Sequence, residues 1–285
     1  MKIKDLLSHT AERFSAAGNS NALNEARWLF ESVSGMSQTQ ITLNSGKEVE
    51  KTLENEFLRR ADERISGKPI QYVIGNWDFC GNTFCVGEGV LIPRPETELL
   101  VELAEGYIRQ GGVKTTVDLC AGSGCIGLTL AKMFPSIKVY LIEKSDLALE
   151  FLKRNAQNLN VPNVEILSGD LFDGFEKFNI PENGLLVSNP PYIRSDVVPT
   201  LDKEVLCEPV LALDGGADGL DFYRAIAGKW ISHFAAAVVE CGEEQTRQVC
   251  EIFDPYCDKT KMHIDLFSNP RAVCAIMKGQ PDYDF

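Results

Sequence analysis

Apolar residues recur at helical spacing through the first quarter of the chain. Ile3, Leu6, Leu7, Ala11 and Phe14 share one face, and the pattern stops near Ala17-Gly18-Asn19. Ala22, Ala26, Leu29 and Phe30 form a second stripe that ends at Ser34-Gly35. Leu53, Phe57, Leu58, Ala61 and Ile65 form a third, ended by Gly67-Lys68-Pro69. Three amphipathic helices with short connections predict a small bundle over residues 1–68. Nothing in it suggests chemistry, so docking of a partner or support is its expected role.

The period then changes. Ile70, Tyr72 and Ile74 alternate, and two short runs, Trp77 to Phe79 and Thr83 to Val86, flank Cys80-Gly81-Asn82. Residues 69–93 therefore read as a linker of strand character, with a hairpin turning at Gly81-Asn82. From 94 to 285 strands and helices alternate. After Leu91-Ile92-Pro93-Arg94-Pro95-Glu96-Thr97-Glu98, a helix begins at Glu96 or Thr97 with Leu99, Leu100, Leu103 and Tyr107 on its apolar face. Strands are expected at Val117 to Leu119, Val139 to Ile142, Val164 to Leu167, Leu185 to Ser188 and Ala235 to Val239. Met262 to Leu266 and Ala272 to Met277 close the chain as a pair. Ser145 is placed to cap a helix with Leu147, Leu152, Ala156 and Leu159 inward. The pattern predicts an α/β fold, a seven-stranded Rossmann-like sheet covered on both faces and preceded by the helical bundle and hairpin linker.

Composition narrows the functions open to such a fold. The formal charge is −13, yet residues 1–70 balance ten basic against ten acidic side chains, so the excess lies in the sheet domain. Gripping a phosphate backbone takes clustered Lys and Arg, and this domain is poorly suited to nucleic acid. The nine cysteines include no C-x-x-C pair and mostly sit in apolar runs, as expected of reduced core residues in a cytoplasmic protein. His9, His233 and His263 are scattered, which argues against a zinc site, and no metal is expected. No apolar run suits a membrane span.

Candidate chemistry gathers just past the strand ends. Asp118-Leu119-Cys120-Ala121-Gly122-Ser123-Gly124 is a strand followed by a Gly-rich turn and a helix start, where backbone passes close to a ligand. Glu143, about 20 residues on, is placed to accept from ribose hydroxyls. Gly169-Asp170-Leu171-Phe172 follows the third strand; Asp170 suits an exocyclic amino group, with Leu171 and Phe172 flanking a base. Together these suggest a nucleoside-containing cofactor. The fourth strand runs into Asn189-Pro190-Pro191-Tyr192, where two prolines stiffen the chain and an Asn amide, carbonyls and an aromatic ring face one small space. That corner suits a planar –NH₂ group, whether on a nucleobase or on a side-chain amide.

These stretches resemble the class I S-adenosylmethionine-dependent methyltransferases, and more narrowly the protein-(glutamine N5) methyltransferases that modify the Gly-Gly-Gln loop of peptide chain release factors. Pro69-Ile70-Gln71-Tyr72-Val73-Ile74-Gly75, the segment Leu91 to Glu98, and Glu208-Pro209-Val210-Leu211-Ala212-Leu213 with Gly219-Leu220-Asp221 carry the narrower likeness. The resemblance implies S-adenosyl-L-methionine held by Cys120, Ala121, Gly122, Ser123, Gly124, Glu143, Asp170, Leu171 and Asn189. It implies a substrate amide bound by Asn189, Pro190, Pro191 and Tyr192, with Asn189, Pro190 and Tyr192 as the catalytic set. The chain departs from the family pattern at Cys120-Ala121, often Gly-Thr, at Glu143, often Asp, and at Leu171, often aromatic. A class I release factor is the expected partner and a monomer the expected state. The Asn-Pro-Pro-Tyr motif is shared with adenine-N6 and cytosine-N4 nucleic-acid methyltransferases, which the acidic sheet domain disfavours. A non-catalytic scaffold is the remaining alternative.

Overall fold

The computed structural model describes residues 1–281. The chain divides into two compact units, one of Met1–Asn76 with Asp202–Cys207, the other of Trp77–Leu201 with Glu208 onward. The division thus falls at 76/77 in place of the expected 68/69, and the hairpin groups with the sheet.

The first unit holds five helices: α1 (Ile3–Ala16), α2 (Ala22–Ser34), α3 (Gln38–Leu43), α4 (Lys51–Ile65) and α5 (Ile70–Ile74). The three expected stripes are α1, α2 and α4. The short α3 escaped the apolar pattern because it buries only Ile41; it is defined by a capping box in which Ser37 and Gln40 satisfy each other's backbone amides. Residues 70–74 are helical and not strand-like. Pro69 starts the turn, Gly75 ends it in the left-handed region, and Ile70 and Val73, three apart, enter the bundle core with Phe14, Leu29, Phe30 and Phe57. Alternation over five residues was too short to distinguish the two periods. Within this unit Arg64 is buried against Glu25, Nε to Oε2 at 2.6 Å, and also takes Glu204 Oε1 at 2.6 Å.

From the boundary onward the chain forms a hairpin of β1 (Asn76–Phe79) and β2 (Asn82–Cys85). Its turn is Cys80-Gly81, both at positive φ, one residue earlier than expected. Then come α6 (Glu98–Gly111), β3 (Thr115–Leu119), α7 (Cys125–Met133), β4 (Lys138–Glu143), α8 (Asp146–Leu159), β5 (Val164–Ser168), β6 (Gly184–Ser188), α9 (Asp221–Lys229), β7 (Phe234–Glu240), α10 (Thr246–Phe253), β8 (Cys257–Ile264) and β9 (Pro270–Met277). The seven strands β3–β9 stand in the order β5-β4-β3-β6-β7-β9-β8; the first five are parallel, and the β8–β9 hairpin adds antiparallel to β7.

One apolar core lies between the sheet and α6, α7 and α8, the other between the sheet and α9 and α10. Ser145 caps α8 as expected, its Oγ accepting from the Ala148 N–H at 3.3 Å. Leu147, however, is exposed, and Ala148, Leu149, Leu152 and Asn155 form the buried face. Position 147 is one residue off that stripe. Among the described residues, no helix is long and apolar enough to cross a membrane. After β3 the chain moves outward through β4 and β5, then returns to lay β6 against the other side of β3. That reversal leaves a crevice at the carboxyl ends of β3 and β6, where doubly wound sheets take ligands.

Candidate active site

A cleft lies at this crevice. Cys120, Ala121, Gly122 and Ser123 from the β3 turn line it, with Glu143, Asp170, Leu171, Asn189 and Pro191. The sequence therefore brought most of its candidates to one place. Gly124, Pro190 and Tyr192 are not in the wall.

The β3 turn is held from beneath. Asp118 is fully buried, and its Oδ2 accepts from the Gly127 N–H of α7 at 2.8 Å. Its Oδ1 has no partner among the described residues. Burial pushes this carboxyl up to about 7, with the charge of Glu143 adding to the effect. Cys120 sits at φ +58, a left-handed conformation that favours glycine. This is the position at which the resembled family often carries Gly.

Glu143 closes the turn. Its Oε2 accepts from the Gly122 N–H at 2.8 Å, and its Oε1 from the Lys144 and Ser145 N–H groups at 2.9 and 2.7 Å. A carboxylate has about four acceptor positions. Three are spent on backbone, so one remains for a ribose hydroxyl. Asp170 is similarly engaged: Oδ1 caps a short 3₁₀ turn at the Phe172 N–H, 3.0 Å, and Oδ2 pairs with Lys144 Nζ at 2.7 Å. Leu171 is buried in the second core and gives the cleft only an edge. The aromatic wall is instead Phe172 with Phe222 of α9, packed edge to face at 5.1 Å between centroids.

The Asn-Pro-Pro-Tyr corner leaves β6 as expected, and its surroundings explain its rigidity. A Cβ on Gly215 would stand 2.7 Å from Tyr192 Cα, and one on Gly219 2.4 Å from the Tyr192 carbonyl oxygen. Gln245 Nε2 donates to that same oxygen at 2.9 Å. Asn189 Nδ2 donates to Thr97 Oγ1 at 3.1 Å, and Thr97 in turn donates to Glu240 Oε2 at 2.6 Å. Among the described residues nothing donates to Asn189 Oδ1 or to the Pro190 carbonyl. The ring of Tyr192 packs against the second core and its hydroxyl donates to Glu240 Oε1 at 3.3 Å. It braces the corner and does not line the cleft.

From the sequence Thr97 is only a helix start. It precedes α6, yet its side chain caps no amide and bridges Asn189 to Glu240 instead. Glu240, Phe222 and Glu208 were also missed. Glu240 was findable, because an acidic residue directly after the apolar run 235–239 occupies the same position relative to its strand as Glu143 and Asn189 do to theirs.

The cleft fits S-adenosyl-L-methionine in the chemistry of its walls. Glu143 and Asp170 set carboxylates in the wall, suited to a sulfonium and an ammonium, and Phe172 and Phe222 offer flat apolar surface for a base.

Comparison with known proteins agrees. Residues 5–75 match the PrmC N-terminal domain and residues 96–216 the methyltransferase small domain. A release factor glutamine methyltransferase of Clostridium acetobutylicum is 35% identical over 89% of this chain and 90% of its own. The chain belongs to the release factor glutamine methyltransferase family. A second member, from Geobacter sulfurreducens, is 34% identical over 90% of each chain. Among solved structures, the catalytic domain of hMettl16 in complex with an RNA hairpin superposes with a TM-score of 0.57 at 11% identity, covering 90% of this chain and 94% of that one. That likeness concerns the fold alone. The match to the methyltransferase small domain begins at residue 96, within the IPRPETE loop, and takes in the β3 turn and the Asn-Pro-Pro-Tyr corner, which contribute to the cleft.

Proposed function

We propose that this chain transfers a methyl group from S-adenosyl-L-methionine to the side-chain amide nitrogen (N5) of the glutamine in the Gly-Gly-Gln motif of class I release factors. The observation that carries this reading is the state of Asn189: its Nδ2 is engaged by Thr97, its Oδ1 is free to accept, and it stands in the wall of the same cleft as Glu143 and the β3 turn. The cofactor, when bound, supplies a methyl group on a positively charged sulfur. Cys120 to Gly124, Glu143 and Asp170 would hold it.

The protein's task is placement. An amide nitrogen is a poor nucleophile because its lone pair is shared with the carbonyl. Asn189 Oδ1 and the Pro190 carbonyl accept the two N–H bonds of the glutamine and present the face of its nitrogen to the cleft. Orientation of this kind is worth on the order of several kcal/mol. The same two oxygens stabilise positive charge developing on nitrogen, and the extra proton leaves afterwards without a dedicated base. Pro191 and the buried corner keep water from the acceptors. A protein substrate, no nucleic-acid substrate and a cytoplasmic monomer accompany this reading.

Mass spectrometry decides it. A purified release factor treated with enzyme and cofactor should gain one methyl on the Gln of its Gly-Gly-Gln loop. Methylation of DNA or RNA in place of the release factor would overturn it.

A further inference from the structure

The Asn189 amide has two ends alike in shape and opposite in function, since Oδ1 accepts and Nδ2 donates. A half-turn about χ2 exchanges them. Methyl transfer as proposed above, on which this inference rests, needs the oxygen toward the substrate. The arrangement of Thr97 and Glu240 supplies that choice. Both are 1% exposed. An ionised Glu240 can only accept, so the single hydroxyl proton of Thr97 goes to Oε2 at 2.6 Å. Thr97 then shows Asn189 a lone pair, and Asn189 answers with an N–H at 3.1 Å. A protonated Glu240 removes the constraint. Its own O–H can donate to Thr97, whose proton is then released to Asn189 Oδ1, and the nitrogen turns toward the substrate.

We propose that the charge on Glu240, relayed through Thr97, selects which end of the Asn189 amide faces the substrate. Both are positioning residues; neither touches the reacting atoms. Glu240 is faced by Thr97 and Glu96 ahead of α6, by Tyr192 of the corner, and by Arg271 on β9; Tyr223 of α9 donates to its backbone carbonyl at 2.8 Å, and Cys241 follows it in the chain. Burial raises its carboxyl to about 7, opposed by the hydrogen bond from Thr97 and the charge of Arg271. The relay therefore changes polarity close to neutral pH.

The test uses the full chain as wild type, Thr97→Val, Thr97→Ser and Glu240→Gln. The Asn189 side-chain NH₂ resonances, assigned by their loss in Asn189→Ala, are followed by NMR from about pH 5.5 to about 8.5, a range centred on the raised carboxyl. In the wild type they should shift with a midpoint near 7, and in Glu240→Gln they should not shift. The kcat of the wild type should fall on the acid side of the same midpoint, and that limb should vanish in Glu240→Gln. Thr97→Val should lose about tenfold in kcat with KM for the release factor little changed, and Thr97→Ser should recover most of it. Asn189 resonances insensitive to pH in the wild type, an acid limb retained by Glu240→Gln, or full turnover by Thr97→Val would each overturn the proposal. The wild-type titration decides even where a variant does not fold. Because it requires no substrate, it also separates failure of the relay from failure of the methyl-transfer reading, which would appear as an unmethylated release factor.

Discussion

The Ile92 backbone N–H donates to Glu208 Oε2 at 2.9 Å, across 116 positions of sequence. The other oxygen of Glu208 takes the Arg94 guanidinium. One buried carboxylate thereby ties the loop 89–94 to the segment beginning at Pro209, and both line the cleft. Its burial pushes the carboxyl above the usual range, while Arg94 and the Ile92 amide pull against that rise. Glu208→Ala leaves an amide and a guanidinium without their partner, at an expected cost of about 2–4 kcal/mol in stability. Cofactor affinity should fall with it, because two walls lose their common anchor. Urea unfolding and calorimetric titration with the cofactor check both; unchanged affinity would mean that the walls hold without Glu208.

Asn189→Ala removes an acceptor and leaves the β3 turn, Glu143 and the aromatic pair in place. Release-factor methylation should drop by at least about a hundredfold, while cofactor affinity changes only a few-fold. Single-turnover rates and cofactor titration separate the two effects. Near-normal turnover would show that Asn189 does not hold the substrate.

Glu143 has little freedom left. Exchanging it for Gln sets an NH₂ group against either the Gly122 amide or the Lys144 and Ser145 amides. The expected cost is about 1–3 kcal/mol. The thermal shift produced by S-adenosylmethionine should shrink accordingly, and NAD should produce none in either protein. A Gln variant that binds cofactor like the wild type would leave Glu143 with a purely local role.

Asp118 and Glu240 both have carboxyls raised to about 7 by burial. The folded protein therefore holds these protons more tightly than the unfolded chain does. Their stabilising contribution is complete below the ordinary carboxylate range and is lost as pH rises through about 7, amounting to a few kcal/mol at most. Surface carboxylates such as the half-buried Asp214 and the exposed Asp218, whose values are lowered, act in the opposite sense. The comparison is thus a difference: between about pH 5 and about pH 8, Asp118→Asn should lose less stability than the wild type. Equal slopes in denaturant titrations would contradict the raised value. For Glu240 stability and turnover pull apart, since the proton that favours folding disables the relay.

The strands, the helical bundle and the ligand turn were legible because each rests on a pattern within a few residues: apolar periodicity, Gly beside a strand end, Pro after Asn. Glu143 and Asn189 follow from the rule that ligands gather at strand carboxyl ends. What could not be read were properties that require distant segments to meet. Thr97 looks like a helix cap from its neighbours, and only the packing of α6 beside β6 and β7 makes it a bridge between Asn189 and Glu240. Tyr192 looks from its motif like a ring facing the substrate, and only the folded chain shows it packed against the second core. Residues 70–74 failed for the opposite reason, since five positions hold too little periodicity to choose a helix over a strand.

Pro190 and Pro191 have no backbone N–H, and the amide nitrogen of Asn189 faces Thr97. The corner therefore offers a substrate oxygens and no donors. Such a surface counts hydrogens. A glutamine brings two and fills both acceptors, a glutamine already methylated brings one, and a glutamate brings none and meets oxygen with oxygen. The reaction should accordingly stop at one methyl and ignore a loop in which the glutamine has deamidated. A dimethylated product, or inhibition by the Glu-containing loop as strong as by the native one, would show that the count is taken elsewhere.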